Sequence, residues 1–181
     1  GRDEESWVLD FQEIHGDSAK PEVWQQLLDL LQRPVEHEIF EPLPIMAACI
    51  DSGGHHTHQV YAFAREHKAA NVFAIKGQSQ RNKPIIGRPS KVDLNLKGKT
   101  LKKGAEVWPV GADTAKSTIY SRLKLNEPGA GYVHFPADLP PDYFQQLTAE
   151  RLVTRYIRGF PVREWQKKSG ARNEALDTFV Y

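Results

Sequence analysis

One cysteine, Cys49, stands in 181 residues, so no disulfide can close within the chain and a cystine-braced secreted scaffold is excluded. A lone thiol suits a reducing compartment. No apolar run approaches the roughly 20 residues of a membrane span, and the opening GRDEESW has no apolar core of a secretory signal. Excess charge is also lacking: 24 Lys and Arg against 23 Asp and Glu leave +1, so the chain is not a uniform polyelectrolyte whose partners follow from net charge. There is no repeat, no low-complexity tract and no G-x-x-x-x-G-K-[ST] phosphate loop, which excludes nucleotide hydrolysis of that type.

A hydrophobic content of 40% over this length is that of one ordinary domain with a real core. The charge is unevenly placed. Between Lys76 and Lys103 nine cations, among them Arg81, Lys83, Arg88, Lys91, Lys97, Lys99, Lys102 and Lys103, face the single acid Asp93. A second basic stretch holds Arg151, Arg155, Arg158, Arg163, Lys167, Lys168 and Arg172. Such segments fit a polyanion-facing side, and equally a solvated loop and helix face.

ESWVLDFQEI (5–14) alternates as a strand with Trp7, Leu9 and Phe11 on one face. Pro21 opens a helix over roughly 21–33 with Val23, Trp24, Leu27, Leu28 and Leu31 as its stripe, and Pro34 closes it. PIMAACID (44–51) reads as a strand buried on both faces. THQVYAFAREHK (57–68) reads as a helix turning Val60, Phe63 and Ala64 inward, and NVFAIKG (71–77) as a second buried strand. That is a βαβ unit with a parallel pair at the sheet centre. Residues 78–106 read as a long polar insertion. After it come a strand over 106–111, a helix capped by Asp113 or Thr114, a strand GYVHFP (131–136), a helix over 141–159 stopped by Gly159, a short strand PVREWQKK, and a last helix in ARNEALDTFVY.

Asp51 carries the first chemistry. In an open α/β sheet reactive groups gather beyond the carboxyl ends of parallel strands, and Asp51 stands there with Gly53 and Gly54 leaving room beside it. A helix cap or Asx turn would also explain it. His55, His56 and His58 with Cys49 lack the recurring spacings of a structural zinc site, and are expected at a cleft rim or in solvent. Glu174 and Asp177 are three apart on a helix, a like-charged pair that a cation or an arginine would relieve; a pair of solvated surface acids is the plainer explanation, against which Leu176, Phe179 and Val180 make the helix partly buried. Asp113 and His134 fall at strand ends near the same cleft, with capping and a satisfied core position as their plainer explanations.

Together EESWVLD, IDSGG before a helix, FAIKG, VGADTAKSTIYSRL, GYVHFP, QQLTAERLVTRYIRG and KKSGARNEALDTFVY resemble, in order and over nearly the whole chain, the C-terminal nuclease domain of the large terminase subunit of lambda-like tailed phages. The resemblance implies an α/β fold of the ribonuclease H-like, retroviral-integrase-like kind, a mixed central sheet flanked by helices, over residues 1–181. It implies a metal-dependent endonuclease that cuts concatemeric viral DNA during packaging, in the host cytoplasm, with duplex DNA, the small terminase subunit and the portal or procapsid as partners and no membrane. Asp51 matches the acid of the family's central strand, and Glu174 and Asp177 match the acids of its C-terminal helix, Glu174 being preferred as direct ligand. A further acid on a strand upstream of EESW, and the ATPase motor domain, are expected to lie outside this sequence.

On that reading two Mg²⁺ or Mn²⁺ ions are held by Asp51, Glu174 and Asp177, since hard cations prefer oxygen donors. Asp51 and the acids of the final helix are expected to converge on a shared pocket. Lys76, just past its strand, or His134 would position phosphate or water, and the 76–103 segment would grip DNA phosphates. Two alternatives remain open: a non-catalytic DNA-gripping or docking module, separated by a Mn²⁺ titration, and another nuclease of the same fold such as an integrase or junction resolvase, separated by preference for four-way junctions.

Overall fold

Pro21 opens α1 (Pro21–Gln32) in the computed structural model, which describes residues 2–96 and 98–181. Its missing N–H is one that no helix pairs in the first turn. Trp24, Leu27, Leu28 and Leu31 lay their stripe on the core, and the helix ends at Gln32, before Pro34. α2 (Thr57–Glu66) buries Val60, Tyr61, Phe63 and Ala64, the face expected from spacing with Tyr61 added.

These helices belong to one of two compact units, comprising Glu13–Gln78 and Ile86–Val110. Its sheet joins β2 (Ala48–Asp51), β3 (Val72–Gln78), β4 (Ser90–Leu96) and β5 (Lys99–Gly111) in the order β2-β3-β5-β4. β2 and β3 run parallel from Ala48↔Val72 to Asp51↔Ile75, as a βαβ unit requires. Val72, Ala74, Leu94, Ala105 and Val107 meet the buried face of α2 in one core.

Two expectations fail here. The strand over 44–51 is shorter and is the sheet's edge, not its centre; Cys49 and Asp51 are exposed. Pro44 cannot donate to a ladder, and an edge strand has only one neighbour to exclude water. The polar insertion over 78–106 is largely the antiparallel hairpin β4–β5. Val92 and fully buried Leu94 alternate with exposed Lys91, Asp93 and Asn95. That is a period of two, hidden by the charge of the solvent face.

The other unit holds Gly1–Gln12, Ser79–Ile85 and Gly111–Tyr181. The strand expected over 5–14 contracts to β1 (Ser6–Trp7), which pairs in parallel with β6 (Val133–His134). With β6 stopped just before Phe135-Pro136 the ladder has no partner to extend on, and Leu9 is exposed. α3 (Ala112–Arg122) follows Gly111, and neither Asp113 nor Thr114 caps it: Thr114 Oγ1 instead donates to the Lys83 carbonyl at 2.6 Å.

The helix expected over 141–159 is α4 (Pro141–Leu147) followed by a strand, β7 (Glu150–Ile157), paired with β8 (Phe160–Lys167). Leu152, Thr154 and Tyr156 alternate in a β-rich run, and this period overrides the helical one. Gly159 is not a helix stop. Arg158 (φ 53) and Gly159 (φ 83) form the two-residue loop between Ile157 and Phe160, as a type I′ hairpin turn demands. The last helix, α5 (Glu174–Val180), begins later than expected and buries Ala175, Leu176 and Val180. The chain is thus a mixed α/β protein with parallel and antiparallel sheets and five α-helices among the described residues.

Candidate functional site

Asp51 closes β2 with its side chain exposed, and its Oδ1 accepts the Gly53 N–H at 3.0 Å. The Asx-turn explanation is therefore correct as geometry, and it leaves the carboxylate facing water. The turn behind it is fixed. Buried Ser52 donates both its N–H (2.8 Å) and its hydroxyl (2.7 Å) to the Ile75 carbonyl, and Thr57 Oγ1 bonds the carbonyls of Ser52 (2.8 Å) and Gly54 (2.9 Å). The carboxylate therefore stands on a strand end whose backbone is held in place by these bonds.

Lys76 lies inside β3 rather than past it. The pleat puts it on the face of Val72 and Ala74, which pack against α2, whereas Asp51 pairs with Ile75 on the opposite face. Of the histidines, His55 is exposed, His56 is half-buried in the turn before α2, and His58 Nδ1 accepts the Asn95 N–H at 3.3 Å. Cys49, expected inside a buried strand, is exposed.

In the other unit α5 presents Glu174 and Asp177 in its first turn. Glu174 is more than half exposed, and its carboxylate accepts from Arg172 Nε at 3.2 Å. Its own backbone N–H, first among the causes, holds its carboxyl below the ordinary range; burial opposes this, and Arg172 and the Asn173 N–H reinforce it. The same contacts favour the ionised form of Glu174, the form that ligates a hard cation.

Asp177 is held from behind. Asn173 Nδ2 donates to its Oδ2 at 3.0 Å, and Lys116 Nζ of α3 lies 3.9 Å from its Oδ1. The same two side chains converge on buried Glu150, the first residue of β7, Lys116 at 2.7 Å and Asn173 at 2.9 Å. The Tyr120 hydroxyl closes the network, donating to the Glu150 carbonyl at 2.7 Å and accepting its N–H at 3.3 Å. Lys116, Glu150 and Asn173 were missed in the sequence. Lys116 stood within VGADTAK and Asn173 within RNEALD, but Glu150 was placed on a helix that does not form, which hid the link.

His134 is a satisfied position: Nε2 lies 2.7 Å from Glu5 Oε1, and its ring stacks on Trp7 with centroids 4.7 Å apart and planes 1° from parallel. Asp113 is half-buried in the first turn of α3, where its carbonyl accepts from Ser117. Arg81, Lys83, Arg88, Lys91, Lys99, Lys102 and Lys103 are all exposed, and Lys97 lies outside the described residues. Among the described residues no three His, Cys, Asp or Glu are gathered as for a metal ion. The expected ligands divide between the units, Asp51 in one, Glu174 and Asp177 in the other. Each is an oxygen donor open to solvent at least in part, a set that fits Mg²⁺ or Mn²⁺ by chemistry.

Comparison with known proteins bears on what such carboxylates serve. The family model described as terminase large subunit gpA, endonuclease domain, matches residues 1–181. The chain is 35% identical over 190 residues to the terminase large subunit of Escherichia phage lambda, and 30% over 188 residues to that of Enterobacteria phage P21. These alignments take in 100% and 98% of this chain but 28% of each relative, so the chain spans little more than a quarter of their length. No solved structure matches it.

Proposed function

The chain belongs to the endonuclease-domain family of the large terminase subunit, and from that premise we propose that it is a metal-dependent endodeoxyribonuclease that cuts concatemeric viral duplex DNA during genome packaging. The observation that carries this is the family match over residues 1–181, joined by a braced, exposed carboxylate at the end of a parallel strand, Asp51. A ribonuclease H-like arrangement accords with the mixed sheet and its βαβ unit. The partners are then duplex DNA, the small terminase subunit and the portal of the procapsid, and the place of action is the host cytoplasm.

In this reading Asp51, Glu174 and Asp177 ligate Mg²⁺ or Mn²⁺. Bound in a pair, such ions supply an activated water and stabilise charge on the leaving 3′ oxygen. This chain's own contribution is orientation and charge. The turn behind Asp51 is fixed by the Ser52–Ile75 and Thr57 bonds, the start of α5 favours the ionised form of Glu174, and Asp177 is restrained by Lys116 and Asn173. The exposed cations hold DNA phosphates without reading sequence.

The test is cleavage of supercoiled and linear duplex with Mn²⁺ present. Asp51→Asn is expected to lower cleavage by about 100-fold, the upper end of the cost of losing even an orienting partner of a metal ligand, with the circular-dichroism spectrum unchanged. Cleavage at the unaltered rate by that variant rejects the assignment. A Mn²⁺ titration with no saturable binding favours a DNA-gripping module instead, and a preference for four-way junctions favours a resolvase.

A further inference from the structure

The unit that carries the four-stranded sheet contains a groove of about 400 Å³ whose lining includes none of Asp51, Glu174 and Asp177. Arg65 at the end of α2 and Lys68 just after it form one wall; Lys91 of β4 with Lys102 and Lys103 of β5 form the other. The floor is apolar, with Val72 and Ala105. Glu106, 3.0 Å from Lys68 Nζ, offsets one of these charges. Among the described residues no carboxylate forms an ion pair with Arg65, Lys91, Lys102 or Lys103.

The second wall is made by an irregularity. Pairing along the hairpin jumps from Val92↔Ala105 to Leu94↔Leu101, so Asp93 alone faces Lys102, Lys103 and Gly104. Lys103 adopts a left-handed backbone (φ 52), and its N–H donates to Asp93 Oδ1 at 2.8 Å. Gly104 is required, because a Cβ there would lie 2.8 Å from the Leu101 carbonyl and 2.9 Å from Leu94 Cβ. A bulge breaks the alternation that would send neighbouring side chains to opposite faces. Here it brings consecutive lysines to one groove, at the expense of a backbone conformation that lysine disfavours.

We propose that this groove is a phosphate-backbone grip for the DNA duplex, made by residues other than Asp51, Glu174 and Asp177; it rests on the endonuclease reading above. The cations come from α2, the turn after it, β4 and β5, spread over an open groove, which fits a row of phosphates rather than one enclosed anion. The Asp51 turn leads into the N-terminal end of α2 and the groove lies at its other end.

The experiment is fluorescence anisotropy of a labelled duplex with the chain in EDTA, across a salt series. Lys102→Ala/Lys103→Ala is expected to weaken binding at least tenfold and to reduce the slope of log K against log salt by about 1.8, two phosphate contacts' worth. Arg65→Ala, on the opposite wall, should lower the slope by about 0.9. Lys20→Ala, an exposed lysine outside the groove, should leave affinity and slope as they are. Unchanged affinity in both groove variants, or equal loss in Lys20→Ala, overturns the proposal. So does displacement of the duplex by millimolar inorganic phosphate, which would mark a small-anion pocket. The anisotropy is read in EDTA with Asp51 intact, so undiminished cleavage by Asp51→Asn rejects the nuclease assignment without touching this result, and the reverse also holds.

Discussion

Glu174 joins local backbone to proposed chemistry in one residue. Its carboxyl lies below its ordinary value of 4.5 because it sits at the start of α5, where its own N–H leads the causes and Arg172 adds to them. A carboxyl lowered in the folded state adds stability that is present above its unfolded pKa and is lost as pH falls through the folded one. Any such loss therefore falls on the acid side of about pH 4.5. The side chain is 55% exposed, so solvent screens the effect on stability, and the titration itself is the sensitive measure. Carboxyl NMR is expected to place the Glu174 midpoint below 4.5, and Arg172→Ala to raise it only part of the way, since the backbone share remains. A midpoint that does not move would remove Arg172 from the account. The placement of the proposed ligands at a strand end and on the last helix was legible in the sequence to the extent that it depended on local order. Asp51 followed from an apolar strand running into glycines, and Glu174 from helical spacing. The support of Asp177 by Lys116 and Asn173 depended on tertiary approach, which spacing does not encode.

At the scale of elements, Lys116 and Glu150 tie α3 to β7, and Asn173 carries the tie to the start of α5. Their side chains are 13% and 6% exposed, so both charges have left water, and the pair repays that only while it is whole. Lys116→Met is expected to destabilise the fold by about 3 kcal/mol, because Glu150 would remain buried without its cation. Lys116→Met/Glu150→Leu, which removes both charges, should recover most of the loss. Urea unfolding measures both, and a double variant as unstable as the single one would show that packing, not charge, decides. The pair was out of reach of sequence because LTAERLVTRYIRG satisfies a helical count and a strand alternation at once. What separated them was the partner: β8 supplies a full antiparallel ladder from Glu150↔Lys167 to Ile157↔Phe160, and Arg158-Gly159 supplies its turn. The same held for β4–β5, where lysines on the solvent face masked Val92 and Leu94. α1 and α2 were legible because a proline start or a continuous apolar stripe is a local signal.

Across the whole molecule, the proposed ligands come from distant parts of the chain, Asp51 near its first third and Glu174 and Asp177 close to its end. An unfolded chain cannot hold such residues together, so a cation they ligate binds the native state alone and must stabilise it by RT ln(1 + [L]/Kd). At a hundredfold excess over Kd that is about 2.7 kcal/mol, enough to raise the melting temperature by several degrees in a chain of this size, roughly 2–4 °C for each kcal/mol. Mn²⁺ is therefore expected to raise the melting temperature of the chain in a saturable way, with Asp51→Asn and Glu174→Gln each losing most of the rise. Both residues are exposed, so neither substitution should by itself lower the metal-free melting temperature by more than a degree or two, which keeps the comparison clean. A rise that survives intact in both variants would locate the stabilising cation elsewhere, and the three carboxylates would then have to be reassigned to the solvated surface.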